Sequence, residues 1–440
     1  GTIVNVTVTA QTKTVSRAGF GVPMILAYHT RWLDAYRIYT KSGFPSNMTD
    51  DGFVVADPAY IAVLKLFSQS PSPTSVVLGR RLAAFTQTIE FIPTPVAENF
   101  IHKITIINSA GVSEDFTVTE GAGSTVALLC TAWETEINGG AQAVTATDGV
   151  TDVSVAADVA GAMFGYTDPT PSLDITDVTA DAGIATDFTA VLAEYTDFYG
   201  VAIDSGAPAE NQALAVAVEA QRMIFIAQEF DHDNGDGAST TDTAYVLKNS
   251  AYDRSAMIWA ENALDFAGAA WLGACLPYDP GNITWAFKTL AGVGAGLPSA
   301  TFETALLAKN GNSYQSTGGV NITYEGKTGD SYLDVTRTKD WAEARVKESV
   351  FGGLVNAPKI PFTNQGGSVI KGLVLAPLNQ GVKPDDSGAF AADPAPYCIV
   401  PKVATILAAD KTARNFTGIE WGATLSGAVH TVTIRGTLAV

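Results

Sequence analysis

Alternation of apolar and polar positions is clearest at the two ends of the chain. Between Thr2 and Thr9, Val4, Val6 and Val8 share one face while Asn5, Thr7 and Thr9 share the other, the two-residue period of a half-buried strand. Within Val429 to Arg435, Val432 and Ile434 alternate in the same way. Neither segment has a hairpin partner beside it in sequence. An unpaired strand exposes a row of backbone donors and acceptors that some other sheet must accept. Two such tails on one chain predict a subunit of a larger assembly.

Between the tails the pattern is α/β. An apolar run at 23–28 predicts a strand, and Trp32 to Tyr39 a helix. The next helix has Asp57 as cap, Pro58 at its first position, apolar Tyr60, Ile61, Leu64 and Phe67, and a stop before Pro71, all recognised boundary signals. Ser75 to Gly79 then completes a βαβ unit. From residue 91 to about 195, short Thr- and Val-rich segments such as Ile104 to Ile107 and Phe116 to Thr119 are broken by Gly, Asn and Asp, which predicts a β-rich insertion. The α/β rhythm resumes with a strand at Phe198 to Ile203, a helix at Pro208 to Gln221, strands at Met223 to Ile226 and Met257 to Trp259, and a helix at Glu261 to Cys275. Alternation on both sides of the insertion predicts one mostly parallel sheet covered on both faces.

Beyond residue 300, Val320 to Tyr324 and Tyr332 to Val335 are expected to be two strands joined by the turn-rich 325–330 segment. A helix from Asp340 to Phe351 follows, with Glu343 at the capping-box position and Ala342, Val346 and Val350 on one face. The expected organisation is a strand arm at 1–20, a middle α/β domain from 21–90 and 196–300, an outer insertion domain at 91–195, an α+β inner domain at 301–427 and a second arm at 428–440.

Charge sharpens this picture. The chain has 440 residues, 47% of them hydrophobic, and a net charge of -19, more than one core can use. Between Lys103 and Arg222 there is no lysine or arginine, yet 18 of the 45 acidic residues lie there. Such a block is expected to face solvent, since burying unpaired carboxylates is costly, and to repel nucleic acid; acidic calcium binding is the alternative use. Residues 301–440 carry 13 basic and 12 acidic side chains and suit a packed inner layer. Gly1 to Val4 does not open a basic, apolar leader, and no run reaches the roughly 18 apolar residues of a membrane span, so cytoplasmic synthesis without membrane insertion is expected. Cys130, Cys275 and Cys398 are few, odd in number and far apart. Free thiols are expected, with cross-linking between subunits as the alternative.

Candidate chemistry is sparse. Gly326-Lys327-Thr328 resembles the end of a phosphate-binding loop, but Asn321 stands where the first glycine belongs. Gly292 to Gly296 lacks dinucleotide-loop spacing and reads as a linker. Asp231-His232-Asp233-Asn234-Gly235-Asp236 puts Gly235 and Asp236 where a calcium loop needs Asp or Asn and then Gly. His29, His102, His232 and His430 show no zinc-binding spacing. No catalytic constellation, cofactor or metal site is expected. Two other classes stay open: a non-contractile shell, tube or surface-layer protein, and an α/β enzyme binding a ligand at the carboxyl ends of its strands near Gly79 or Asp204.

Several segments resemble the contractile-tail sheath proteins of myophages: Ser16 to Gly21, Ser42-Gly43-Phe44 with Tyr60 to Phe67, Pro71 to Arg80, and the Asp340-Trp341 helix. The resemblance spans nearly the whole chain outside the acidic insertion. It implies an inner domain, a middle α/β domain, a solvent-facing insertion, and terminal arms that add strands to the sheets of neighbouring subunits. On that reading Val4, Val6, Val8, Val432 and Ile434 are strand donors, and Arg345 and Lys347 mark a helix facing an inner tube. The implied partners are further copies of the chain, the inner tail tube protein, and baseplate and tail terminator proteins. The implied setting is a virion tail assembled in the bacterial host cytoplasm.

Overall fold

The computed structural model of the chain describes residues 19–167, 169–385, 387–433 and 435. Val4, Val6, Val8 and Ile434 of the expected arms lie outside them. Strand β1 (Pro23–Tyr28) sits where its apolar sequence predicts, with its first five residues buried, as an interior parallel strand requires. Strand β2 (Tyr36–Thr40) replaces the helix expected at Trp32 to Tyr39. It pairs antiparallel with residues 75–79, because Tyr36, Ile38 and Tyr39 favour a pleated surface. Trp32 turns inward and donates from Nε1 to the Tyr39 hydroxyl at 3.1 Å.

Short helix α1 (Ser46–Asp50) precedes α2 (Pro58–Phe67). The α2 boundary is the predicted one, but its cause differs. Asp57 makes no side-chain cap; its carboxylate accepts from the Val54 amide at 3.0 Å and from Arg31 at 2.8 Å. Pro58, with its fixed φ, starts the first turn. Strand β3 (Ser75–Arg81) then runs parallel to β1.

The insertion leaves after β3. It contains β4 (Thr88–Pro93), β5 (Ile101–Asn108), β6 (Ser113–Thr119), α3 (Val126–Asn138), β7 (Val144–Asp148), β8 (Val153–Ala157), β9 (Phe164–Thr167) and β10 (Leu173–Asp177). The strands form a four-stranded antiparallel sheet, β10-β4-β8-β7, and a three-stranded one, β6-β5-β9. Helix α3 is an element that the β-rich expectation did not include. Leu129, Cys130, Trp133 and Ile137 form its buried stripe, and the Thr125 side chain accepts from the Leu128 amide at 3.4 Å. Trp133 meets Phe91 of β4 edge-to-face at 5.5 Å. The next helix, α4 (Ile184–Glu194), was expected to fall inside the insertion, yet its Ile184, Phe188 and Val191 pack with Met24, Leu26 and Val77 of the main sheet.

The second half supplies β11 (Gly200–Ile203), α5 (Pro208–Glu219), β12 (Ile224–Glu229), α6 (Thr243–Asn249), β13 (Ser255–Trp259), α7 (Ala267–Cys275), α8 (Ala300–Ala308), β14 (Asn312–Thr317) and β15 (Val320–Tyr324). The main sheet is eight-stranded, ordered β15-β14-β13-β12-β11-β1-β3-β2. Its interior pairings are parallel, while β2 and β15 close the edges antiparallel. Strand β15 turns back on β14 through Gly318 and Gly319, both at positive φ, a conformation that glycine adopts without strain. The strand expected at Tyr332 to Val335 does not form. Leu333 opens helix α9 (Leu333–Asn356), and Asp340 stands inside that helix instead of capping it. The 325–330 segment is held by Asn312, whose Oδ1 accepts from the Gly326 and Lys327 amides, each at 2.8 Å.

The remaining elements are α10 (Asn364–Gln380), β16 (Tyr397–Ile399), α11 (Ala408–Thr412) and β17 (Glu420–Gly422). Of the described residues, one compact unit holds 280–283 and 337–428, and the other holds 19–279, 284–336 and Val429 onward. Residues 301–336, expected in the carboxy-terminal domain, therefore belong with the main sheet. The smaller unit has its own core of Ala342, Val374, Leu378, Ala389, Phe390 and Cys398, against which Val346 and Val350 pack, so the expected apolar face of the Asp340 to Phe351 stretch is present.

The acidic block is less uniformly solvated than its composition predicts. Asp204, Glu210, Asp187, Asp177 and Glu120 are all buried. The first two flank Arg81, itself fully buried. Arg81 Nη1 donates to Asp204 Oδ1 at 2.7 Å and Nη2 donates to Glu210, while Asp204 Oδ2 accepts from the Tyr28 amide at 2.7 Å. These groups stand at the carboxyl ends of β3, β1 and β11, where the strand order reverses and doubly wound sheets bind ligands. Here that crevice is filled by ion pairs. Gly79, the other position considered for a ligand, lies against Leu26, Val191 and Met24.

Two predictions follow from these buried charges. Removing the cation strands two carboxylates, so Arg81→Met is expected to cost about 3–5 kcal/mol in urea unfolding; a loss below about 1 kcal/mol would show that the pairs contribute little. Glu229, buried at the end of β12, accepts from Asn211 and Asn234 at 3.0 and 2.7 Å, and burial raises its carboxyl from 4.5 to about 8. The folded chain thus holds a proton that the unfolded chain releases at lower pH. Stability is expected to fall as pH rises from about 4.5 to about 8, and Glu229→Gln to flatten the denaturation midpoint across that window.

Candidate assembly interfaces

The smaller unit contains a sheet that is incomplete. Strands β16 and β17 pair antiparallel, with Tyr397 opposite Gly422, Cys398 opposite Trp421 and Ile399 opposite Glu420. They form a two-stranded sheet, a size that is marginal in water without further strands or a helix against it. Cys398 points into the core, and its neighbours Tyr397 and Ile399 are 55% and 57% exposed. A groove of 450 Å³ runs between β16 and the start of α10, lined by Asn364, Ser368, Lys371 and residues 398–402. Asn364 Oδ1 accepts from the Val403 amide at 2.9 Å and fixes the loop after β16. Among the described residues, no third strand covers either outer edge. An edge with exposed apolar side chains is an invitation to strand addition.

The carboxy-terminal segment has complementary properties. Residues 429–433 form no strand within the chain, although their alternation predicts one, and Val429 and Val432 are 76% and 70% exposed. The segment is pinned at one point. His430 Nε2 lies 2.7 Å from Thr284 Oγ1, and its ring meets Phe287 and Tyr332 edge-on, with centroids at 5.6 and 5.4 Å. Nearby Asp334 is raised by burial and lowered in part by His430. Sequence reasoning missed both this anchor and the β16–β17 pair. Three-residue strands carry too little periodicity to detect, and nothing near Thr284 marks it as a partner for a tail.

Other positions singled out by the sequence fall elsewhere. Arg345, expected to be exposed, is 19% exposed and paired with Glu348 at 2.7 Å, because that part of α9 also carries the core stripe; Lys347 is exposed. Cys130, Cys275 and Cys398 are buried and unbridged, and burial pushes the Cys130 thiol up to about 11. The Asp231 loop is a short 3-10 turn whose Asp231 side chain caps the Asp233 amide. Lys309 is tied to that loop through the carbonyls of Asp233 and Asp236 and to Asp242 Oδ2 at 2.7 Å. Among the described residues no His, Cys, Asp and Glu side chains gather into a metal-binding group, and no helix is long and apolar enough to cross a membrane.

The fold of the chain is similar to that of contractile sheath proteins. The PVC sheath complex of an extracellular contractile injection system, in its contracted state, is similar to this chain with a TM-score of 0.56 at 10% identity, over 100% of this chain and 98% of that one. The helical sheath of the anti-feeding prophage in its contracted state gives 0.53 at 11% identity, over 99% of each. No family model and no curated protein sequence matches the chain.

The anchor yields a prediction. His430→Ala is expected to raise hydrogen-exchange rates of the residues after Ala428 while leaving those of β12 and β13 unchanged. Unaltered exchange in the tail would show that the His430 contacts do not hold it.

Proposed function

We propose that the chain is a structural subunit of a contractile tail sheath, polymerising helically around an inner tail tube and contracting to drive that tube through a host envelope. The observation that carries this reading is the pairing of two incomplete features in one chain: a two-stranded sheet with open, apolar edges among the described residues and a tail whose described residues 429–433 form no strand within the chain. The likeness of fold to contracted sheaths supports it. Val432 and Ile434 of one copy, and Val4, Val6 and Val8 of another, extend the β16–β17 sheet of a neighbour by β-augmentation. Contacts of this head-to-tail kind do not close on themselves, so a helical tube grows.

In the tube the acidic insertion faces outward and the unit containing α10 faces the inner tube, with Lys347 on that side. His430 serves as the pivot from which the tail leaves, keeping neighbours connected while the rigid bodies move from an extended to a more stable contracted lattice. Baseplate and terminator proteins bound the tube at its ends. The setting is a phage-like tail assembled in the bacterial cytoplasm, and the chain has a structural role, not an enzymatic one.

Deleting residues 428–440 is expected to abolish ordered tubes in negative-stain electron microscopy while leaving a soluble monomer with native circular dichroism. Ile399→Asp, which places a charge on the open edge at an exposed position, is expected to do the same with stability changed by no more than about 0.5 kcal/mol. Tubes formed by both variants would sink the strand-exchange reading. Unfolding of the deletion variant alone would assign the tail to the chain's own core.

A further inference from the structure

Three bonds dock the last two strands of the insertion on the residues that follow β12. The Tyr166 hydroxyl of β9 donates to the Phe230 carbonyl at 2.7 Å. The Asp177 amide, at the end of β10, donates to Asp231 Oδ2 at 3.2 Å. His232 Nδ1 lies 3.3 Å from Asp174 Oδ1 of β10. Residues 230–232 therefore hold both strands.

Two carboxyl groups sit inside this joint. Asp177 and Asp231 are 7% and 4% exposed. Asp231 also accepts from the Asp233 amide, at 2.8 Å on Oδ1. Asp177 Oδ1 accepts from the Thr179 amide at 2.8 Å, but its Oδ2 is buried and has no hydrogen-bond partner among the described residues. An ionised Asp177 would bury charge on an oxygen that no donor reaches, a cost that a proton on the carboxyl removes.

The cations packed around the joint are committed elsewhere. Arg81 of β3 pairs with Asp204 and Glu210, Lys309 after α8 with Asp242 and two carbonyls, and His232 with Asp174. The other charged or titratable groups are acids: Glu90 on β4, Glu210 on α5, Glu229 ending β12, Asp233 and Asp236 in the turn beyond it, and Glu261 after β13. Burial accordingly raises the Asp177 carboxyl from 3.8 to about 6, with Glu210 pushing the same way. It raises Asp231 from 3.8 to about 7, with Asp233 and Asp177 adding to it.

We propose that this joint is a proton-operated latch on the insertion: while Asp177 and Asp231 hold protons, β9 and β10 stay docked on residues 230–232, and when both ionise the buried charges drive the joint open and free the insertion to swing on its connections to β3 and α4. The docked form keeps protons that an open form with ordinary carboxyls releases. Docking is thus complete in acid, weakens as pH rises from 3.8 to about 7, and changes little above that. The latch acts within a single chain and does not rest on the sheath reading.

The test is a spin-label distance measurement on the full-length monomer, with labels on Leu128→Cys in α3 of the insertion and Val216→Cys in α5 beside the main sheet, both exposed positions; the native thiols are buried. A single narrow distance is expected at about pH 5, and a broad or second distance holding most of the population at about pH 8. Asp177→Asn keeps an acceptor for Thr179 and cannot ionise. Alone it is expected to lower the ratio of open to docked molecules in the alkaline sample at least about tenfold, and together with Asp231→Asn to keep the narrow distance in both samples. His232→Gln, which removes the histidine at the joint, is expected to leave the change in place. A narrow distance in both samples of the labelled parent, the same broadening in the Asp177→Asn variants, or loss of the change on His232→Gln would overturn the proposal.

Discussion

A buried arginine holds this fold together at its most demanding point. The main sheet reverses its strand order between β1 and β11, and the long insertion leaves the sheet immediately after β3. Arg81 sits where these events meet. Its guanidinium joins Asp204 after β11 and Glu210 in the first turn of α5. Asp204 in turn accepts from the end of β1. Adjacent bonds secure the insertion's two connections: Asp187 of α4 accepts from the Leu82 amide at 3.0 Å where the chain departs, and Glu210 accepts from the Ala182 amide at 3.4 Å where it returns. Ion pairs so deeply buried are justified less by net stability than by the geometry they enforce. Here they fix both the crevice of the sheet and the root of the insertion.

The same network lies in the crevice where a doubly wound sheet usually takes a ligand. The switch point is occupied by side chains from the chain itself, and the main sheet is closed at both edges by antiparallel strands. Each strand between those two edges is paired on both sides. The smaller unit is the opposite case, with two three-residue strands and exposed apolar positions beside them. On the proposed function this asymmetry is the physical basis for assembly, because the two-stranded sheet gains more by accepting strands than the eight-stranded one. A body that stays rigid while its linkages bend is what a transition between two lattices requires.

Much of the core was legible from sequence, and the failures have identifiable causes. Strand β1 is an unbroken apolar run, β3 is built on Val76, Val77 and Leu78, and α2 has Pro58 at its start, so local signals and tertiary packing agree. At Tyr36 to Thr40 the aromatic spacing fits either period, and pairing with β3 decides for the strand. Helix α3 was hidden in a Thr- and Val-rich neighbourhood although Leu129, Trp133 and Ile137 carry a helical stripe. The first turn of α9 looked like a strand because Leu333 and Val335 alternate, and only the Asn312 bonds to the preceding loop reveal where the helix must begin. Charge counting alone could not see that Asp204 and Glu210 pair with Arg81, far away in sequence. Of the candidate interface, the alternation at Val432 was readable; β16, β17 and Thr284 were not.

A cryo-electron microscopy map of filaments assembled from the purified chain tests the central claim most directly. It is predicted to show the β16–β17 sheet of each copy widened by strands from neighbouring copies, with Val432 and Ile434 in one of them. A map in which β16 and β17 remain a two-stranded sheet, and each tail stays folded against its own chain beyond His430, would contradict it.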